Sequence, residues 1–278
     1  MSDPLNKQLV LCADDYALNA PVSQGIVALS VLGRLSATSV MTLSPRWPED
    51  AVALHEVRER LDVGVHLDWT SAFAIHAGHG SGLNAVMLRA ALRLYRQRDA
   101  QGVIERQFDA FEQHWQAVPD HIDGHQHIQQ FPVIRDALAE VLMRRYGTSP
   151  QRPWVRVSQV AQPGWKAQVI SAMGAQRLGD WAQDAHWPTV APLLGAYGFD
   201  GDVAGYAQRM QTWLALLPAN QTAVLMCHPA VSAHADDEIG PARSRELAYL
   251  ASDAFAQDLR DAGVCLVRGS GKSFLENT

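Results

Sequence analysis

The sequence predicts an α/β fold in which parallel strands alternate with crossover helices. Short apolar runs recur along the chain, and segments with the apolar spacing of a helix lie between them. Each such helix returns the chain to the same edge of the sheet, so successive strands run parallel. The chain has 278 residues and no repeat, low-complexity tract or linker that would divide it. We therefore expect a single domain over residues 1–278.

Composition and charge narrow the class of protein. Lys and Arg number 23 against 29 Asp and Glu, a net charge of −6, and 47% of the residues are hydrophobic. These values exclude a disordered chain and a basic nucleic-acid-binding surface, and they disfavour a polyanionic substrate. The 3 cysteines cannot form a disulfide framework, and no segment is apolar enough for a membrane span or a signal peptide. We expect a cytoplasmic protein.

Three apolar runs, separated by two helical segments, predict the first part of the sheet. Pro21 stands where the first residue of a helix is expected. After the third run, the glycines and histidines of Ser71–Asn84 predict a long loop. In chain order the elements are strand Gln8–Ala13, helix Ala20–Leu32, strand Ala37–Leu43, helix Pro48–Arg60 and strand Leu61–His66.

Helical segments dominate the rest of the chain. The spacing of Ile104, Phe108, Phe111 and Trp115 is typical of one buried helix face. Gly179–Gly201 is irregular and long enough to suggest a binding loop. The other elements are helices Ala85–Gln97 and Gly102–Val118, a strand and loop at His121–His127, helix Pro132–Tyr146, strand Trp154–Val157, helices Trp165–Gln176 and Val203–Leu216, strand Thr222–Cys227, helix Ser244–Ala262 and strand Val264–Val267.

Polar side chains that can bind a metal or move a proton follow four of the predicted strands. They are the pair Asp14 and Asp15, then His66, the segment His121–His127, and His228. The carboxyl ends of parallel strands meet at one edge of a sheet, so these residues are expected to share a site. Taken singly, each has a structural alternative, since an Asp after a strand often caps a helix and a lone His is often a hydrogen-bonded core residue.

The segment His121–His127 is the strongest of these indications. Its alternate positions carry His121, Asp123, His125 and His127, which would all face one side of an extended chain. Without a ligand, such a cluster would leave polar atoms unmatched unless it is a solvated edge. Imidazole and carboxylate suit zinc and several other divalent ions, and Asp123 could fix the tautomer of a ligating histidine. The order of residues differs from the H-x-H-x-D-H run of metallo-β-lactamase-like hydrolases.

Six short motifs are spread over nearly the whole chain. They are Ala13-Asp-Asp-Tyr16, Ala37-Thr-Ser-Val40, Gly64-Val-His-Leu67, His121-Ile-Asp-Gly-His-Gln-His127, Arg156 and Met226-Cys-His-Pro-Ala230. Together they resemble the YdjC-like carbohydrate deacetylase family, which includes chitooligosaccharide deacetylases and a branch associated with hopanoid biosynthesis. The resemblance implies a distorted TIM-like (β/α) barrel related to polysaccharide deacetylases.

The resemblance also implies a divalent metal ion, Mg²⁺ or Zn²⁺. By position in the motifs, Asp15, His66 and His125 are similar to the family's metal ligands. Asp14 is similar to its general base and His228 to its general acid. The implied reaction is hydrolysis of an N-acetyl group on an amino sugar or oligosaccharide, with release of acetate.

The resemblance implies less specific roles for several other residues of the site. Arg156 resembles the residue that orients the base carboxylate, whereas Asp123 and His127 resemble residues that line the site. Tyr16, beside the two aspartates, and Trp69 are expected to contact the substrate, Trp69 by stacking on a sugar face. Phe73, Trp181 and Trp187 also lie in the irregular stretches and are candidates for the same stacking role, although tryptophans in such loops are as often packed lids.

One departure from the family pattern concerns the loop after the first strand. The family usually has Asp-Asp-Phe-Gly where this chain has Asp14-Asp-Tyr-Ala17. Because Gly adopts a positive φ easily and Ala does so only at a cost, we expect this loop to be shaped differently.

Other functions remain open on the sequence alone. The same site could cleave a different acyl group, for instance on a glycolipid, or the protein could be a metal-bearing carbohydrate-binding pseudoenzyme. Nothing in the sequence indicates an organic cofactor. Members of the family tend to be homodimers, which is the expectation here.

Overall fold

The protein is described by a computed structural model that covers residues 7–161 and 164–272. Within these residues, nine strands join one parallel sheet, with helices between most of them. The strands are β1 (Lys7–Tyr16), β2 (Ala37–Val40), β3 (Asp62–Leu67), β4 (His121–Gly124), β5 (Trp154–Arg156), β6 (Thr189–Val190), β7 (Leu193–Leu194), β8 (Ala223–Cys227) and β9 (Val264–Leu266).

The helices differ widely in length. Their bounds are α1 (Ala20–Val31), α2 (Trp47–His55), α3 (Ala72–His76), α4 (Leu83–Ala91), α5 (Gln97–Trp115), α6 (Ile134–Tyr146), α7 (Trp165–Ala172), α8 (Ala175–Asp184), α9 (Val203–Ala215), α10 (Gly240–Leu250) and α11 (Asp253–Asp261), with a 3₁₀ helix at His125–Gln130. Among the helices of the described ranges, none combines the length and apolar character needed to cross a bilayer.

The sheet curves into a nearly closed barrel. Its strand order is β6-β5-β4-β3-β2-β1-β8-β7, and β9 adds to β1. Beyond β5, Val160 forms a parallel bridge with Leu193 of β7, which brings the two sides of the sheet into contact. The predicted distorted (β/α) barrel is therefore confirmed. Because helices cover the sheet, strand residues are buried on both faces, as in β1 from Leu9 to Tyr16.

The buried helix face predicted on α5 is confirmed. Phe108 and Phe111 are fully buried, and Trp115 is 3% exposed. The Phe111 ring stacks on Trp47 of α2, with ring centroids 5.7 Å apart. These aromatic side chains attach α5 to the barrel.

Several predicted segments differ from the structure. The single helix expected over Trp165–Gln176 is α7 and the start of α8. The expected loop Ser71–Asn84 contains the short helix α3, because the Ser71 hydroxyl accepts hydrogen bonds from the amides at its start. The stretch Gly179–Gly201 includes the end of α8 and strands β6 and β7. The single helix expected over Ser244–Ala262 is two helices, since Ser252 caps a new helix at α11.

Candidate active site

Asp14 and Asp15 occupy a β-bulge at the carboxyl end of β1. Ala13 pairs with Thr38 of β2 and Tyr16 with Val40, so one extra residue stands on the β1 side. Neighbouring side chains of a regular strand point to opposite faces. Here Asp15 has φ 71°, and the bulge turns both carboxylates into the same buried pocket.

Ala17 keeps the left-handed backbone that the family's glycine would favour. Its φ is 69°, a conformation that costs a non-glycine residue about 1–2 kcal/mol. The Ser23 hydroxyl accepts a hydrogen bond from the Ala17 amide, and the Ser44 hydroxyl donates one to its carbonyl. Two serines therefore hold Ala17 in the conformation that the sequence analysis expected an alanine to adopt only at a cost.

Asp15, His66 and His125 form a compact group of side chains whose chemistry could hold a metal ion. They come from β1, β3 and the 3₁₀ helix, and one donor atom from each lies within 4.8 Å of the others. Asp15 Oδ1 is 3.3 Å from Nε2 of His66 and 3.0 Å from Nδ1 of His125. The His125 side chain is 21% exposed, so this group opens to solvent on its side. One carboxylate and two imidazoles suit Zn²⁺ and related ions.

Two further side chains hold the oxygen and nitrogen donors in place. Asp123 Oδ1 lies 2.6 Å from Nδ1 of His66 and accepts its proton, which leaves Nε2 facing Asp15. Burial lowers the pKa of His66, but Asp123 and Asp15 outweigh it and raise the pKa to about 10. Arg243 donates to Oδ2 of Asp15 at 2.7 Å. Burial raises the pKa of the Asp15 carboxyl, but Arg243 and His125 outweigh burial and hold it well below its usual range.

Asp14 forms a buried ion pair with Arg156 of β5. The guanidinium donates to both carboxylate oxygens, at 2.7 and 2.9 Å, and the Ser39 hydroxyl donates to Oδ1 at 3.2 Å. Burial raises the pKa of Asp14, but Arg156, with help from His66, outweighs burial and keeps it well below its usual range. The Asp14 carboxylate is therefore charged and fixed in orientation.

His228 follows β8, and its imidazole lies close to the Asp14 carboxylate. Its Nε2 lies 4.0 Å from Asp14 Oδ2, and its side chain is 11% exposed. The His228 backbone amide donates to Glu246 Oε2 at 2.6 Å. The Phe199 ring meets the imidazole edge to face, with centroids 5.2 Å apart. His228 is thus held by α10 and has one ring nitrogen facing the carboxylate.

The segment His121–His127 does not stay extended, which corrects the expectation that its alternate residues share one face. The strand ends at Gly124, and Gln126 and His127 have φ values of 54° and 63°. His121 instead lies deeper in the barrel, stacked on Trp154 with centroids 4.4 Å apart. The turn, rather than the strand, brings His125 to the donor group.

His127 lines the pocket as a neutral side chain. Burial lowers the pKa of His127 to about 3, with a further contribution from Arg156. Its Nδ1 lies 3.1 Å from the Ser158 hydroxyl. The Gln129 amide donates to that hydroxyl at 3.1 Å, which frees the Ser158 proton for His127. This network assigns the remaining imidazole proton to Nε2.

Three residues expected to line the site or to contact substrate, namely Asp123, Tyr16 and Trp69, are buried in the barrel. Asp123 is fully buried between His66 and Arg156 and serves to orient them. Tyr16 is also fully buried, and its hydroxyl donates to the Asp50 carbonyl at 2.7 Å. Trp69 is 1% exposed within the hydrophobic core. None of the three has surface to offer a sugar in this conformation, and these expectations are corrected accordingly.

Several supporting residues of the site, other than Asp123 and Arg156, were not predicted from the sequence. Arg243 and Glu246 lie three positions apart on α10, on one helix face, and both are buried. Two charges at this spacing within a buried helix could have been recognised. Ser39, Ser158 and Phe199 carry no comparable sequence pattern.

A cleft of about 520 Å³ opens at the other end of the barrel. It lies beside Asp120 and Arg152, which precede β4 and β5. In parallel α/β barrels the active site forms instead at the carboxyl ends of the strands. The candidate site is therefore the group at the carboxyl edge and not this cleft.

Comparison with known proteins identifies relatives of the kind that the sequence motifs indicate. A carbohydrate deacetylase from Halalkalibacterium halodurans is 28% identical over 138 residues, which cover 46% of this chain and 56% of that protein. The chain thus matches only about half the length of this curated relative. A candidate cellobiose-phosphate cleavage protein from Enterococcus faecalis V583 has 19% identity and a TM-score of 0.72, with 95% of this chain and 98% of that chain covered.

A CE4 esterase from Streptococcus mutans has 12% identity and a TM-score of 0.50, with 95% of this chain and 86% of that chain covered. At these identities, the two structural likenesses show a shared fold. The sequence model for the YdjC-like proteins matches residues 8–261, which is most of the chain. The chain therefore belongs to the YdjC-like protein family.

Proposed function

We propose that this protein is a metal-dependent hydrolase that removes an N-acetyl group from an amino sugar or oligosaccharide. The observation that carries the proposal is one pocket in which Asp15, His66 and His125 converge beside Asp14 and His228. The description of the Halalkalibacterium halodurans relative as a carbohydrate deacetylase supports the substrate class.

Asp15, His66 and His125 would hold one divalent cation, Zn²⁺ or Mg²⁺. Their donor atoms are close together, and Asp123 and Arg243 orient two of the three ligands. When bound, such a cation polarises an acyl carbonyl and stabilises the negative charge that develops on its oxygen. The open side at His125 leaves room for substrate.

Asp14 would act as the general base. Arg156 keeps its carboxylate ionised and oriented, and Oδ2 faces the pocket towards His228. This oxygen can accept a proton from water as the water oxygen bonds to the acetyl carbon. Because Asp14 pairs with Arg156 and is not one of the three proposed ligands, its substitution is expected to spare metal binding.

His228 would protonate the leaving amine. Its Nε2 is 4.0 Å from Asp14 Oδ2, so a reacting atom can lie about 3 Å from both groups. As the carbon–nitrogen bond breaks, the Nε2 proton moves to the sugar nitrogen, giving acetate and a free amine. His127 would present its Nε2 proton to the substrate as a neutral hydrogen-bond donor.

The test is acetate release from N-acetylglucosamine and its short β-linked oligomers by protein loaded with Zn²⁺ or Mg²⁺. Asp14→Asn and His228→Ala should lose at least about 100-fold in turnover while retaining the metal. Asp236→Asn, whose side chain is 93% exposed, is the matched control and should keep full activity. Full turnover in Asp14→Asn would refute the assignment of the base.

Formyl and longer acyl amides of the same sugars test the second candidate, a deacylase of a glycolipid or another amide. Faster release of a longer acyl group than of acetate would favour that function. Retention of metal and sugar binding without cleavage of any acyl bond would instead identify a carbohydrate-binding pseudoenzyme.

A further inference from the structure

We infer that Phe199 is a substrate-contacting residue, and that its ring packs against the sugar on the leaving-group side of the scissile bond. This inference rests on the proposed function and adds a specificity-determining residue to it. Phe199 is half-buried, and its ring lies edge to face on His228 at 5.2 Å between centroids.

The backbone of Phe199 is held in a strained conformation. Its φ is 58°, in the left-handed region that a bulky aromatic residue rarely adopts. Such a conformation costs on the order of 1–3 kcal/mol and persists only where the surroundings enforce it. The strain indicates that the position of this ring beside His228 matters.

Two helices enforce the conformation. Arg245 of α10 donates to the Phe199 carbonyl at 2.8 Å. Arg209 of α9 donates to the Asp200 carbonyl at 2.8 Å and to its carboxylate at 2.7 Å. On the other side, the Tyr197 hydroxyl donates to buried Glu246 at 2.6 Å. The ring is therefore presented at the pocket by a rigid turn.

The position of the ring identifies what it would touch. His228 is the group proposed to protonate the leaving nitrogen, so the part of the substrate beside it is the sugar and not the acyl group. The face of a pyranose carries C–H groups that pack on an aromatic ring. A half-buried phenyl ring next to the proton donor is therefore suited to select a leaving group whose amine is attached to a sugar ring.

The experiment compares parent protein with Phe199→Ala, Phe199→Leu and Phe199→Tyr. For N-acetylglucosamine, Phe199→Ala should raise KM about tenfold with a smaller change in kcat, and Phe199→Tyr should restore the parent KM. Tyr95→Ala is the control, because it also removes a half-buried aromatic ring. Tyr95 contacts Arg89 and is distant from Phe199 in the sequence. Phe199→Leu keeps an apolar side chain and guards against misfolding of the alanine variant, and it should show the same direction of change.

Calorimetric binding of glucosamine separates this inference from the proposed function. Weaker binding of glucosamine to Phe199→Ala than to the parent protein supports the contact. Failure of the parent protein to release acetate would refute the proposed deacetylation but would leave this inference standing. An unchanged KM, or a fall in kcat with an altered pH profile and unchanged glucosamine affinity, would overturn the contact. Phe199 would then only position His228.

Discussion

Arg243 donates a hydrogen bond from Nη2 to Oδ2 of Asp15, over 2.7 Å and across 228 residues of sequence. Both side chains are nearly inaccessible to solvent, at 3% and 2% exposure. Arg243 also donates from Nε to Asp237 at 2.6 Å, so its guanidinium is fixed from both sides. Because Oδ2 is occupied in this way, Oδ1 is the oxygen that Asp15 turns towards the histidines.

Arg243→Gln should therefore weaken metal binding by about 10- to 100-fold, as is common when a residue that orients a ligand is removed. It should also lower the free energy of unfolding by roughly 3 kcal/mol, because a buried carboxylate loses its cation. Chelator competition with Zn²⁺ and urea unfolding measure the two effects. Arg260→Gln, at an exposed position of α11, is the control. Unchanged Zn²⁺ affinity in Arg243→Gln would contradict this role.

The contact between Arg243 and Asp15 could not be predicted from the sequence, whereas the barrel and part of the site could. The barrel follows from alternating apolar runs and helices, and the convergence of Asp15 and His66 follows from the shared edge of parallel strands. Arg243 lies on a helix, and no rule of strand geometry connects it with β1. Its partner depends on how α10 packs, which is a property of the tertiary structure.

Local backbone conformation shapes the site in two places that strand geometry does not reveal. Alternation along a strand would separate Asp14 from Asp15, and a bulge brings them together. The same rule would align His121 with His125, but the chain leaves the extended conformation after Gly124. In both cases residues with positive φ, which side-chain types alone do not reveal, redirect the chain.

His66 and His125, the two histidines proposed as metal ligands, should differ in their effect on stability. His125→Ala and His66→Ala should each lose bound Zn²⁺, which elemental analysis of the purified protein measures. His125 is partly exposed, so its removal should change the free energy of unfolding little. His66 is buried against Asp123, and its removal should destabilise the protein by about 2–4 kcal/mol.

His76→Ala, at an exposed position of α3, controls for nonspecific binding to histidine. It should retain the parent's metal content and stability. Retention of a full equivalent of Zn²⁺ in both His125→Ala and His66→Ala would refute the proposed ligand group.

Gly64 is required by the close approach of the His121 ring. A Cβ atom at position 64 would lie 2.5 Å from three atoms of that ring. The ring cannot retreat, because Trp154 stacks on it. Gly64→Ala should therefore destabilise the protein by about 1–3 kcal/mol, as overpacking of a core does.

The double variant Gly64→Ala, His121→Ala tests whether the clash is the cause. Removal of the imidazole opens space for the new methyl group, so the two changes should be less destabilising together than the sum of their separate effects, by at least about 0.5 kcal/mol in urea unfolding. Additive effects would mean that Gly64 is required for another reason. Gly102→Ala, whose Cβ would meet nothing within 4 Å, is the matched control.

His121 should also make the stability of the metal-free protein depend on pH. Burial lowers the pKa of His121 in the folded protein, although Asp123 and Asp62 oppose the effect. In the unfolded chain this imidazole titrates near pH ~6.5. As the pH falls through that value, the unfolded chain takes up a proton that the folded protein does not, so stability falls. The effect of His66 has the opposite sign, because its folded pKa is raised to about 10, and its stabilisation is lost as the pH rises from 6.5 towards 10.

Comparison with His121→Phe isolates the effect of this one group, since both proteins keep His66 and the phenyl ring can still stack on Trp154. Between pH 7.5 and pH 5.5 one such group changes the free energy of unfolding by about 1 kcal/mol. Urea unfolding at the two pH values should therefore show a loss of stability that is smaller by this amount in His121→Phe. If the two proteins lose the same stability on acidification, His121 takes up its proton equally in the folded and unfolded chains. The imidazole would then not be the buried neutral group that its stacking on Trp154 and its full burial indicate.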